Sequence, residues 1–188
     1  MASTQYIPSP LAKVQCIESN GRSMLVFVKQ FRHSAEKLWR LLTEPEYHRE
    51  WAPFESDRNL STLGTAKLIM IDRDVEMKFD ANVNQSNGSE LLEYTWGTDV
   101  LRWELRNTSE GCCLTLHHTT SARDWVPKVA AGWHICLDVA NYFLDGNPMG
   151  RIVGEDAKKH GWTELHDAYA AALNIEGTGL PEDLSAPK

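Results

Sequence analysis

From Leu63 to Thr120 the sequence repeats with a period of two, and no other feature constrains the fold as much. Met77, Phe79, Ala81 and Val83 alternate with Glu76, Lys78, Asp80 and Asn82. Leu92, Tyr94 and Trp96 alternate with Glu93 and Thr95, and Leu101, Trp103 and Leu105 with Arg102, Glu104 and Arg106. Cys112, Leu114, Leu116 and His118 then oppose Cys113, Thr115, His117 and Thr119. Successive side chains of a strand point to opposite faces, so each segment has one apolar and one polar side. Asn87-Gly88, Gly97 and Glu110-Gly111 supply short turns between them. The pattern predicts an antiparallel meander, wet on one face.

The apolar face of such a sheet needs a cover. Between Val126 and Leu144, Val129, Trp133, Cys136, Leu137, Ala140 and Leu144 fall on one helical stripe, which Asp145-Gly146-Asn147-Pro148 terminates. Upstream, Ser23 to Phe31 reads as a strand. Ser34 is placed to cap a helix with Ala35, Leu38, Trp39 and Leu42 on one face. Pro45 ends that helix, and a second short one runs from Tyr47 to Trp51. A last helix, roughly 154 to 173, carries Ala157, Trp162, Leu165, Tyr169 and Leu173. The expected class is α+β: a curved antiparallel sheet wrapped around a long helix near the C-terminus, with an additional C-terminal helix. With 188 residues and no internal repeat, one domain is expected over 22–174. Residues 1–21 read as an irregular N-terminal extension and 175–188 as a flexible tail.

Charge and cysteine content narrow the function. A net charge of -7 argues against a nucleic-acid partner. No apolar run reaches the length of a membrane span, so no membrane insertion is expected, and Met1 to Pro10 lacks the pattern of a secretory signal. Cys16, Cys112, Cys113 and Cys136 make no disulfide framework and no CxxC pair, which suits a cytoplasmic setting. The seven histidines show no metal-ligand spacing, there is no GxSxG elbow, and Cys112 and Cys136 lack a local activator. No metal, cofactor or catalytic residue is therefore assigned. Asp138, on the long helix, is expected to face solvent or to pair with a nearby basic group.

Ser34-Ala-Glu-Lys-Leu-Trp-Arg-Leu-Leu-Thr43 with Glu44-Pro45, Trp51-Ala-Pro53, Leu91-Leu-Glu-Tyr-Thr-Trp-Gly97, Val100-Leu-Arg-Trp-Glu-Leu105 and Ala131-Gly-Trp-His-Ile-Cys-Leu-Asp138 follow one another in an informative order. Together they resemble the START/Bet v 1-like (SRPBCC) superfamily, in the branch related to the C-terminal domain of the Hsp90 ATPase activator Aha1. The resemblance implies a helix-grip fold with a hydrophobic cavity, in a superfamily of lipid and hormone carriers, polyketide cyclases and many proteins of unassigned function. Candidate ligand-binding residues are Trp51, Met70, Met77, Phe79, Tyr94, Trp96, Trp103, Leu116, His118, Trp133 and Leu137, and the competing reading of the same rings is core packing. His118 is the histidine that strand phase turns inward, where it either bonds a core neighbour or orients a polar group of a ligand. The expected function is binding of a small hydrophobic or aromatic molecule, as a carrier or sensor. One alternative is a cyclase- or hydrolase-like enzyme using His118 and Tyr94 for acid–base work. Another is an Hsp90-associated module. The sequence is compatible with a homodimer.

Overall fold

The computed structural model describes residues 5–72 and 75–176. Eight strands form one antiparallel sheet: β1 (Lys13–Ser19), β2 (Arg22–Phe31), β3 (Glu55–Ser56), β4 (Gly64–Asp72), β5 (Val75–Asn87), β6 (Leu91–Trp96), β7 (Asp99–Thr108) and β8 (Gly111–Thr120). Their spatial order is β1-β2-β8-β7-β6-β5-β4-β3. Helices α1 (Ala35–Thr43) and α2 (Pro45–Trp51) lie between β2 and β3. After β8 come α3 (Val126–Leu144), α4 (Glu155–Lys159) and α5 (Trp162–Leu173).

The meander forms as its alternation predicts. Trp103 sits opposite Leu92 on one side and Leu116 on the other, and Leu101 lies between Tyr94 and His118. All six of these side chains are buried. The Ser34 hydroxyl accepts the Lys37 N–H and starts α1, whose Ala35, Leu38, Leu41 and Leu42 are buried. The long helix spans the residues expected of it. It is buried almost all round, because the sheet holds one side while α5 and the N-terminal segment take another.

Three expectations need correction. Residues 13–19 are not irregular: they form β1, paired with β2 from Lys13↔Val28 to Ser19↔Arg22. The Asn20-Gly21 turn, with both residues at positive φ, reverses the chain into β2. The last helix is two helices, broken at His160-Gly161, where Gly161 takes a left-handed conformation that a continuing helix excludes. Met77, expected inside, is 38% exposed. β5 pairs with β6 only from Val83 onward, so its first half, paired with β4 alone, extends past the end of β6. The expected tail lies outside the described residues from 177 on.

No helix among the described residues is long and apolar enough to cross a membrane.

Candidate functional site

Between the sheet and α3 the structure gathers most of the candidate residues into one aromatic cluster. Trp103 and Trp133 meet edge to face with centroids 5.1 Å apart, and Trp51 stands 6.3 Å from each. Such tilted contacts let the positive edge of one ring meet the negative face of the next. Each indole N–H has an internal acceptor: Trp51 donates to the Leu41 carbonyl at 3.2 Å, Trp103 to the Tyr94 hydroxyl at 3.1 Å, and Trp133 to His118 Nδ1 at 2.8 Å. Burial raises the Tyr94 phenol well above its usual range, so it stays protonated. Leu116 and Leu137 close the same core.

Toward one end of the sheet this core becomes accessible. The β1–β2 and β6–β7 turns, the end of β4, the start of β5 and the exit of β8 toward α3 all lie there. Trp96 is only half-buried, and it touches Phe54 (5.1 Å), Phe79 (6.3 Å), Trp133 (6.4 Å) and His118 (6.0 Å). Met70 and Phe79 are also half-buried, and Val75, Met77 and Trp125 are exposed. The candidate residues therefore divide. Trp51, Tyr94, Trp103, Leu116, His118, Trp133 and Leu137 are sealed, Met70, Phe79 and Trp96 form a rim, and Met77 lies beyond it.

His118 links the core to this rim. Its Nε2 is buried and makes no hydrogen bond, although Asp99 Oδ2 stands 3.4 Å away. Asp99 Oδ1 is held by Arg22 at 2.6 Å, and Arg22 also donates to the Thr98 carbonyl at 2.7 Å. The β6–β7 turn is thus pinned beside the rim. Burial also raises the Cys112 thiol, and pushes the Cys136 thiol up to about 12, so neither offers a thiolate.

Residues 32–139, more than half of the chain, match the family described as activator of Hsp90 ATPase homolog 1-like protein (AHSA1). The chain belongs to that family. A conserved protein of unknown function from Enterococcus faecalis shares the AHSA1-type architecture, with a TM-score of 0.64 and 19% identity over 88% of this chain and 93% of its own. CalU16 from Micromonospora echinospora superposes with a TM-score of 0.62 and 14% identity, covering 85% of this chain and 95% of its own. An AHSA1-like protein from Aeromonas hydrophila gives 0.57 and 12%, over 65% of this chain and 92% of its own. At such identities the likeness shows the fold alone. No curated protein matches the sequence significantly.

A second polar cluster draws in residues from both sides of the AHSA1-matched stretch. Asp138 on α3 is buried, so of the two expectations for it solvent exposure fails and pairing with a basic group holds, through Lys29. Its Oδ1 accepts from the Ser9 hydroxyl at 2.6 Å and from the Lys29 ammonium at 2.5 Å. Its Oδ2 accepts from the Ser9 N–H at 2.9 Å and the Tyr6 hydroxyl at 3.1 Å, with His134 Nε2 at 3.2 Å. Burial opposes ionisation of this carboxyl, but the His134 hydrogen bond and the Lys29 charge outweigh it and hold the group well below the usual carboxylate range. Tyr169 accepts the Ala12 N–H at 3.0 Å and lies 2.7 Å from His134 Nδ1; burial pushes its phenol up to about 12. These bonds make the cluster a latch that ties residues 6–12 to α3 and α5. Lys29 shares the inward phase of Leu25, Phe27 and Phe31, and an inward cation calls for a buried anion. That signal, with the i,i+4 spacing of His134 and Asp138, was the available clue.

Proposed function

We propose that this AHSA1-family protein binds a small, planar apolar molecule at the open end of the sheet–α3 interface, stacked on Trp96 and bounded by Met70 and Phe79. The observation that carries the reading is the half-buried Trp96 ring, which touches the sealed aromatic core on one side, with exposed Val75, Met77 and Trp125 toward the same end of the sheet. A rim of this kind offers a ligand a large apolar area with little side-chain entropy to lose. The family's fold supports ligand binding in general.

The test is a titration of isotopically labelled protein with ethylnaphthalene, followed through the tryptophan indole N–H resonances. Saturable shifts centred on Trp96 are expected, and Trp96→Ala should weaken binding by about tenfold, the loss of one stacked ring contact. Binding that saturates but is unchanged in Trp96→Ala would move the site elsewhere. The absence of any saturable shift would remove it.

A further inference from the structure

We propose that His118 is the polar recognition point of this pocket and is held as a hydrogen-bond donor, so that the ligand carries an acceptor oxygen, a ketone or quinone carbonyl, on its planar apolar body. This rests on the binding site proposed above and adds to it the chemical class of the ligand.

Proton inventory leads to this conclusion. An indole N–H only donates, so the 2.8 Å contact from Trp133 requires a lone pair on His118 Nδ1. A neutral imidazole with its lone pair on Nδ1 carries its proton on Nε2. Trp133 is itself held by Trp51, Trp103 and Trp96, so it cannot easily turn away and release the tautomer. The donor so created is buried and has no hydrogen bond. An unpaired buried donor is costly, and such exceptions call for an explanation.

Three buried side-chain atoms among the described residues lack a hydrogen-bond partner: Arg22 Nε, His118 Nε2 and His166 Nε2. The first two belong to side chains on opposite oxygens of Asp99, beside the rim. Arg22 fastens Asp99 Oδ1, while Oδ2 stands 3.4 Å from His118 Nε2 without a hydrogen bond. The His118 and Trp96 rings lie 6.0 Å apart, tilted by 32°, so the ring beside Trp96 is the one that carries the unpaired donor. A carbonyl oxygen there satisfies the donor. A hydrocarbon edge leaves it unpaired, and a group that only donates has no lone pair to offer it.

The experiment compares acetylnaphthalene with ethylnaphthalene, which share a ring system and differ by a carbonyl in place of a methylene. Wild-type protein is expected to prefer the ketone by about tenfold, the worth of one buried neutral hydrogen bond. His118→Phe should abolish the preference while retaining the hydrocarbon, and His118→Gln, which keeps an N–H donor, should retain part of it. In the unmodified protein, nitrogen NMR should find the His118 proton on Nε2, a reading that needs no variant to fold. Equal affinity for the two probes, a preference surviving in His118→Phe, or a proton on Nδ1 would each overturn the inference and leave the pocket standing. Failure of both probes to bind would overturn the pocket, and the inference with it.

Discussion

Among single residues, His48 shows how a polar side chain is made acceptable inside this core. Its Nε2 stands 2.9 Å from the Leu42 carbonyl, which can only accept, and its Nδ1 lies 3.0 Å from the Ser56 hydroxyl. Nε2 therefore carries a proton, and burial lowers the ring's pKa from 6.5 to about 4, with the Leu42 hydrogen bond offsetting part of the shift, so the ring is neutral at pH 7. Because the folded value is depressed, the unfolded chain binds the proton first as pH falls. The contribution of neutral His48 is whole above pH 6.5 and declines to about pH 4, an acid loss of about 3 kcal/mol. Urea midpoints measured from pH 7 downward should fall less steeply in His48→Gln than in the wild type. Parallel profiles would mean that His48 does not sit neutral in the folded protein.

Elements were legible to different degrees, for physical reasons. β5 to β8 and α3 could be read because each buries one side of a regular period, so the sequence carries the period openly. The β7–β8 turn is equally determined. Gly111 sits at φ +135°, and a Cβ there would stand 2.2 Å from the Phe31 carbonyl oxygen and 2.7 Å from the Arg32 carbonyl carbon. Gly111→Ala should destabilise by about 3 kcal/mol or more, since backbone strain and overpacking add. An unchanged melting temperature would show that the turn relaxes away from β2. β1 was harder to read. It is an edge strand with Val14 and Cys16 only half-buried, so its alternation is weak. The latch beneath it was invisible as a motif because its members come from four separate stretches. Only Lys29 in an apolar phase and the His134–Asp138 spacing hinted at it. Asp138→Asn leaves Lys29 without its anion and should cost about 3–5 kcal/mol at neutral pH, the penalty for breaking a buried pair. Asp138 has a depressed pKa, so its contribution is present above the unfolded value of 3.8 and is lost as pH falls below it. The gap between variant and wild type should therefore close in strong acid. Faster protease cleavage within residues 6–12 of Asp138→Asn would identify that segment as the part released, and unaltered cleavage would deny the latch its role.

At the scale of the whole molecule, the aromatic face and the polar latch stand on different sides of α3. Trp133 and Leu137 look toward the sheet, while His134 and Asp138 look toward residues 6–12 and α5. The family resemblance made the first side readable, since the matched stretch contains nearly all of it. The second joins segments on both sides of that stretch and follows from burial and charge alone. This arrangement bears on the order of assembly. The Ala12 N–H finds its acceptor on Tyr169, 157 positions later in the chain. Contacts of such long sequence separation form late, because a large loop must close before they contribute. During synthesis, residues 6–12 emerge before α3 and α5 and have no docking surface until those helices have followed them out. Until then the segment is unprotected, with Ile7 and Leu11 available to any chaperone that scans nascent chains for apolar residues.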